Sequence, residues 1–581
     1  MTLVVGKEER QRPLAPEAAP PSRPRAPGRY LHTSSFPPVI DLPTDDARGP
    51  RRIAIGAAAV IGAVVLGLAV ARGGLLVGLA LVGLVPALYV VRSVILDPRW
   101  GLAATLVVAF VGVGITRYVP APTGLLVDAF LALTLLAVAL RPREWEWDRL
   151  KNGAVVAVTV WMAYNLLQIV NPEARSIAAW FYAMRGVALY PFLAVPLFLL
   201  LIKDRRDLDR LLWLWFAFSV LGVLWGAKQK LIGLDGAEQA WLNVPGNLST
   251  HLLFGKLRVF SFYSDSGQFG AAMGHMGLAA IILALGPEGL WRKVLLAVAG
   301  VLGIYGLLIS GTRGAMAVPM IGFFVYFLLS GNWRLLVMGM VALAMVYGAL
   351  KFTSVGSGIY EVQRMRTAVV EGSDNPSLQV RLENQKKLKA YLQSRPFGGG
   401  VGSGGYWGQR FSPGTFLAEL ALDSWYVKIW AEQGPVGLWL YLSGLAALLA
   451  GALRRLLRVR DAALRQRLAA LFAGLCGIAV ASYGNQVLGQ MPTGIIVALS
   501  VAALYLAPRL DSPPEASGDA ASAGDAPLAP EAALHVPGGL NAPSFGGDRT
   551  EEGGTQHGAR GLHRARPVTP SRPPPSGGGG S

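Results

Sequence analysis

The chain has 581 residues, 53% of them hydrophobic and only 15% charged, which is far from the usage of a soluble domain and makes lipid the solvent for most of it. A net charge of +18 could suggest nucleic acid, but the basic residues fall in short clusters between apolar runs, where they set membrane orientation, so no nucleic-acid partner is expected. The single cysteine, Cys476, excludes a disulfide framework and a thiolate metal site.

Residues 1–50 are rich in Pro, Arg and Ala, with PEAAPPSRPRAPGR at their centre. Such a stretch buries too little apolar surface to offset its ordering entropy, and a disordered tail is expected. No cleavable signal peptide is expected, because the first apolar run follows Arg51 and Arg52 and is long enough to stay in the membrane. From residue 51 to 510 apolar segments recur, and a span length of about 20 residues divides them into about 14 helices, with a range of about 12 to 14. The series opens with Ile53–Ala71 and Leu75–Val91, has a span at Gly186–Ile202, and closes with Leu468–Tyr483 and Thr493–Leu506. The predicted fold is all-α, a polytopic transmembrane helical bundle with a large, partly helical outward loop. Residues 511–581 again read as a disordered tail.

Lys and Arg in short loops collect on the cytoplasmic side. With the N-terminus inside, inner loops hold clusters such as Arg141, Arg143, Arg149 and Lys151, or Arg454, Arg455, Arg458 and Arg460. The short outer connections hold only Arg72, Arg117, Arg175, Arg185 and Arg313. Both termini are therefore expected in the cytoplasm, and the two long loops, 228–267 and 351–433, outside. In the larger loop Asn375 can cap a helix that Pro376 opens and that Pro396 and the following glycines stop. Glu383 and Lys387 have the spacing of a favourable pair on it. The chain then returns through DSWYVKIWAEQGPVGLWLY, whose Trp425, Tyr426 and Trp430 suit an interfacial aromatic belt.

Both long loops keep arginines on a side where orientation gives no reason for them. The segments RVFSFYSDSGQFGAA with Arg258, LISGTRGA with Arg313, VRLENQKKLKAYLQSRPFGGGVG with Arg381, and DSWYVKIWAEQGPVG with Asp423 and Glu432 occur in that order. In these segments the second half, roughly residues 180–506, resembles the O-antigen ligase and O-antigen polymerase family of bacterial membrane glycosyltransferases. The resemblance implies an inner-membrane enzyme that works without metal or cofactor. It would take a glycan from an undecaprenyl pyrophosphate carrier at the outer face and join it to an acceptor sugar, alongside other polysaccharide-assembly proteins, in O-antigen, capsule or exopolysaccharide assembly.

The chemistry fits the residue types. Departure of a lipid pyrophosphate needs positive charge on the developing phosphate charge, and guanidinium groups are fixed, always-protonated, bidentate donors. Arg258, Arg313 and Arg381 are the candidates for binding it, Arg258 and Arg381 also for catalysis. The attacking sugar hydroxyl needs an acceptor for its proton, as in inverting glycosidases. The family usually carries a His-Asn pair there; this chain reads Asp423-Ser424, and Asp423 is the candidate base.

Each residue also has a plainer reading. Arg258 and Arg381 can be solvated loop cations, Arg313 a snorkelling helix-end arginine, Asp423 a helix cap, and Glu432 a residue that shapes the following helix with Gly434 and Pro435. Gly400, Gly402 and Gly405 fit GxGxxG, but no strand precedes them, so close packing near substrate is the better reading. His275 in a predicted span and His251 in an outer loop have no partner at metal-ligand spacing. The alternative function, a transporter of lipid-linked sugars, would want polar or broken helices and often repeated halves. The spans hold few charges and the sequence shows no internal repeat. A non-catalytic scaffold is more remote still.

Overall fold

In lipid every backbone N–H and C=O has to find its partner within the protein, so apolar runs become helices. The computed structural model describes residues 48–511, apart from Pro120, Pro245, Phe254, Val355 and residues 371–375. Among the described residues eight helices are long and apolar enough to cross a membrane, and shorter apolar helices such as Arg99–Ile115, Leu125–Ala139 and Thr493–Tyr505 accompany them. The chain is a polytopic helical membrane protein, as its composition predicts. One two-residue antiparallel pair, Leu252–Leu253 with Lys256–Leu257, is the β-structure among the described residues.

Several expectations need correction. The first two expected spans form one helix, Arg48–Leu96, unbroken across Arg72. Gly73 and Gly74 weaken a helix by only about 1 kcal/mol each, and the helix continues past them through Pro86. This helix takes in residues 48–50 of the expected N-terminal tail, and Asp511 of the expected C-terminal tail ends the last helix; the remainder of both tails, like the expected cap Asn375, lies outside the described residues. The span expected from Gly186 starts nine residues earlier, as Ile177–Leu201, and contains a π-helical turn at Arg185–Leu189. Arg185 thus sits within the bundle and not in a loop. It is tolerated there because Asp128, in the first turn of Leu125–Ala139, accepts from its Nε at 2.9 Å.

The helix Ser266–Ala284 is buried along almost its whole length. Its glycines permit this: a Cβ on Gly303 of the neighbouring helix Leu290–Ile309 would stand 2.6 Å from Gly277 Cα, so the two backbones meet through small residues. The basic loops gather at one end of the bundle. There Arg141 donates to the carbonyls of Ile95 and Leu96, and Arg467 meets Asp209 at 2.8 Å and Glu288 at 2.9 Å. The two long loops lie at the other end and are folded. In the first, Lys228 reaches Asp235 at 2.9 Å and the buried Glu238 at 2.6 Å, and Asp235 and Glu238 close a capping box on Gly236–Leu242. In the second, helices Tyr360–Val370, Pro376–Tyr391 and Gly405–Phe411 follow one another, and the expected Glu383–Lys387 pair is formed at 2.9 Å. Lys230 pairs with Glu361, tying one long loop to the other.

The glycine run after Pro396 docks on a break in the helix Trp425–Leu456. Gly399 N donates to Ala431 O at 3.0 Å and Gly400 N to Glu432 O at 2.8 Å. The break is at Gly434, whose φ of 69° favours glycine and whose Cβ would stand 2.1 Å from Pro396 O. Glu432 is fully buried beneath it, its Oε1 accepting from Lys428 Nζ at 2.6 Å and Gly404 N at 3.3 Å. The plainer reading of Glu432, and close packing for the glycines, therefore describe what is seen. Trp425 is 4% exposed and packs inside the bundle, so the interfacial role expected of it is not what it does.

Candidate functional site

Arg258 follows the β pair and is held by a loop that is itself tightly positioned. The carbonyls of Ser261 and Tyr263 accept from Arg117, whose guanidinium lies 4.4 Å from the Trp241 ring and 4.6 Å from that of Phe260. Gln229 Oε1 accepts from Ser261 N at 2.7 Å, and Ser261 Oγ donates to Gly222 O at 2.7 Å, which holds Ser261 at the unusual φ of 52°. On this frame Arg258 donates from Nη1 to Thr250 O at 2.8 Å and from Nη2 to Thr312 Oγ1 at 2.9 Å.

Thr312 belongs to the short connection before Arg313, and its hydroxyl donates onward to Ser266 O at 2.9 Å. Gly311, at φ 58°, is where the arginines converge. A Cβ there would stand 3.2 Å from Arg364 Cδ and 3.5 Å from Arg258 Cγ, and Arg364 Nε donates to Gly311 O. Arg313 donates from Nη1 to Thr367 Oγ1 at 3.1 Å, one helical turn from Arg364. Burial pushes the Arg258 guanidinium down to about 10, the Arg364 and Arg313 charges act the same way, and Asp265 and Tyr360 oppose them.

Arg381 and Asp423 form the adjoining half. Arg381 Nε donates to Asp423 Oδ2 at 3.2 Å and its Nη2 to Gly484 O at 3.2 Å. Gly484 lies against Gly314, the residue after Arg313: a Cβ on Gly314 would be 3.7 Å from Gly484 Cα and 2.8 Å from Asn485 Nδ2. The four residues read from sequence therefore stand in one connected neighbourhood, with Arg258 and Arg313 on the Gly311 turn and Arg381 and Asp423 reached through Gly484. Asp423 caps no helix. Ser424 is the N-cap of Trp425–Leu456, its Oγ accepting from Val427 N at 3.4 Å, and the Asp423 carboxylate is half exposed in its ion pair with Arg381.

Sequence reasoning missed three parts. Arg364 was not singled out, although QRMRT in an outer loop carries the same arginine signal as the chosen residues. Asp265 caps Ser266–Ala284 through Gln268 N at 2.9 Å and accepts from Gln490 Nε2 at 2.7 Å, beside Arg258. The connection GNQVLGQMP supplies Asn485, Gln486 and Gln490, a polar set in an otherwise apolar stretch. His251 is buried against Trp241 and Phe260, with Nε2 accepting from Ser266 N at 3.4 Å, and burial lowers its pKa, so it serves the frame as a neutral ring. Among the described residues no group of three or more His, Cys, Asp or Glu side chains is arranged to hold a metal ion.

None of the curated proteins matches the chain. Residues 298–442 match the family model described as O-antigen ligase, a stretch that contains Arg313, Arg364, Arg381 and Asp423 and leaves Arg258 and Asp265 before it. Over that stretch the chain is similar to the O-antigen ligase family, the family that its sequence segments resemble.

Proposed function

We propose that this protein is a glycosyltransferase that moves or polymerises a glycan from an undecaprenyl pyrophosphate carrier onto an acceptor sugar at the outer face of the cytoplasmic membrane. The observation that carries the reading is the convergence of Arg258 and Arg364 on the Gly311 turn beside Arg313, within one connected neighbourhood of Arg381 and Asp423. In this reading Arg258, Arg313 and Arg364 hold the pyrophosphate, with Arg381 between them and the base. The acceptor hydroxyl oxygen attacks the anomeric carbon as its bond to the pyrophosphate oxygen breaks. The electron pair leaves on the phosphate, where the guanidinium groups stabilise it, and the hydroxyl proton passes to the Asp423 carboxylate. Because that carboxylate is bonded to Arg381, the arriving substrate has to draw Arg381 toward the phosphate to release it.

The purified chain in lipid nanodiscs, given lipid-linked glycan and acceptor, is expected to release undecaprenyl pyrophosphate only when acceptor is present. Passage of intact donor across vesicle membranes with no release would favour a carrier instead. The orientation is part of the proposal: arginines and lysines gather at the end where Arg141, Arg205 and Arg467 lie, and that excess belongs in the cytoplasm. Ala390 is exposed on the helix Pro376–Tyr391. In a Cys476→Ser background Ala390→Cys should react with an impermeant thiol reagent added to intact spheroplasts, and protection there would reverse the assignment.

A further inference from the structure

A second feature at the same end of the bundle has no part in the reading above. Between the helices Arg99–Ile115, Leu125–Ala139 and Ile177–Met184 on one side and Gly405–Phe411 and the 486–491 turn on the other lies a cavity of 590 Å³. That is within the usual range for small-molecule sites, about 300–1,000 Å³. Its wall carries Tyr182, Tyr406 and Trp407. Tyr182 stacks on Trp407 at 4.8 Å and 15°, and Phe411 continues the stack at 5.7 Å and 7°. Tyr406 meets Trp407 edge to face and is otherwise 65% exposed.

Two of the charges in this cavity are neutralised: Arg185 is paired with Asp128, and Lys428 with Glu432 at 2.6 Å. The third, Arg410, is exposed, and its Nη1 donates to Tyr406 Oη at 3.3 Å. A pyrophosphate would find one solvated guanidinium here in place of the convergence of Arg258 and Arg364 on Gly311. What the cavity does offer is aromatic surface with hydrogen-bonding groups at its edge. Gln486 spends its amide N–H on Leu422 O and Gln490 spends one on Asp265, which leaves their amide oxygens as acceptors. A sugar ring matches this lining, since its C–H face packs on an aromatic ring while its hydroxyls point sideways to polar groups.

We propose that this cavity is the subsite for the acceptor sugar. The assignment rests on the glycosyl-transfer reading, and the position suits it: Gln486 bonds the residue before Asp423, and Gln490 bonds Asp265 beside Arg258. A hydroxyl on a ring held here faces the turn that separates the cavity from the proposed base. The cavity also adjoins a second space of 580 Å³, sharing Gly186, Tyr190, Trp425 and Gly489 with it. That second space is lined by apolar residues such as Leu445, Leu448, Val497 and Val501 of two membrane helices.

The test is binding, independent of turnover. Saturation-transfer NMR on the full chain in nanodiscs, with empty nanodiscs as blank, would use methyl glycosides of glucose, galactose, mannose, rhamnose and N-acetylglucosamine as probes. At least one should show ring-proton saturation above the blank, unchanged by inorganic pyrophosphate. Trp407→Ala should reduce it about fivefold or more, the scale of one stacked ring, and Trp407→Phe should retain it. Should Trp407→Ala not fold, Tyr406→Ala, on an exposed ring, should reduce it in the same direction. No signal for any glycoside, full signal in the alanine variants, or displacement by pyrophosphate would overturn the subsite. Glycoside binding without release of undecaprenyl pyrophosphate in the transfer assay would keep the subsite and remove the transfer reading; release without glycoside binding would do the reverse.

Discussion

Two sets of arginines at opposite ends of the bundle are held in opposite ways. At the basic end Arg467 meets Asp209 and Glu288, Arg205 meets Asp461 at 3.0 Å and Arg99 meets Asp97 at 2.9 Å. At the loop-rich end Arg258 and Arg364 donate to carbonyls and a hydroxyl and act on one another as like charges. A carboxylate satisfies the N–H groups and cancels the charge, whereas a carbonyl satisfies the N–H groups and leaves the charge. The first arrangement holds loops together. The second keeps a positive field together with mutual repulsion, which in the proposed function an arriving pyrophosphate would relieve.

The comparison is most sharply tested by removing one arginine from each end. Arg258→Ala should lower turnover by about a hundredfold to a thousandfold, the usual worth of a donor fixed on developing negative charge, with little loss of stability. Arg467→Ala should cost about 1.5–3 kcal/mol of stability, because it takes the arginine from the partly buried Asp209 and leaves Glu288 only Arg292, and leave turnover per folded molecule unchanged. Equal losses of turnover in the two variants, measured by release of undecaprenyl pyrophosphate, would erase the distinction between the ends.

Asp423 is a carboxylate of the loop-rich end that does meet an arginine, as Glu173 there meets Arg395 at 3.0 Å. Asp423→Asn should retain shape and donor binding and lower turnover by about a hundredfold, the scale of a positioned base. Arg381→Ala should weaken donor binding and turnover together. Since the two side chains are bonded at 3.2 Å, the double variant should lose less than the product of the single losses. Near-normal transfer by Asp423→Asn would show that its carboxylate only steadies Arg381.

The smallest expected effect is on pH. With Arg258 at about 10, donor affinity should be level through neutral pH and fall as pH rises through about 10, where the guanidinium begins to lose its proton. Stability runs the other way for this group. Burying its charge costs stability below about 10, and the cost is relieved between about 10 and the ordinary value of 12.5. An affinity that stays level through that range would mean the field belongs to other groups.

Much of the molecule is legible in the residues themselves. Apolar runs between arginine clusters dictate membrane helices, and Pro376, Pro396 and the paired Glu383 and Lys387 bound a helix in the larger loop that is found from Pro376 to Tyr391. Arg258, Arg313 and Arg381 are candidates because positive charge in those loops has no orienting purpose, and Asp423 because it stands where the resembled family carries a His-Asn pair; contacts through the Gly311 turn and Gly484 link them. What was not legible depends on neighbours far away in sequence. The helix Arg48–Leu96 runs through Gly73 and Gly74, which read as a turn. Arg185 counts as a loop cation until Asp128, 57 positions earlier, is seen beside it.

The sequence by itself determined the solvent, the helices and the residue types able to handle a pyrophosphate, because hydropathy and charge are local properties that lipid and water sort without reference to the fold. Only the tertiary structure decided which arginines keep their charge. Arg467 and Arg258 are the same residue on paper, and each one's role is set by whether the partner brought to it is a carboxylate or a carbonyl. It likewise decided that GNQVLGQMP packs between Arg381, Asp265 and the aromatic cavity, a meeting of segments more than 60 residues apart that no spacing in the chain could announce.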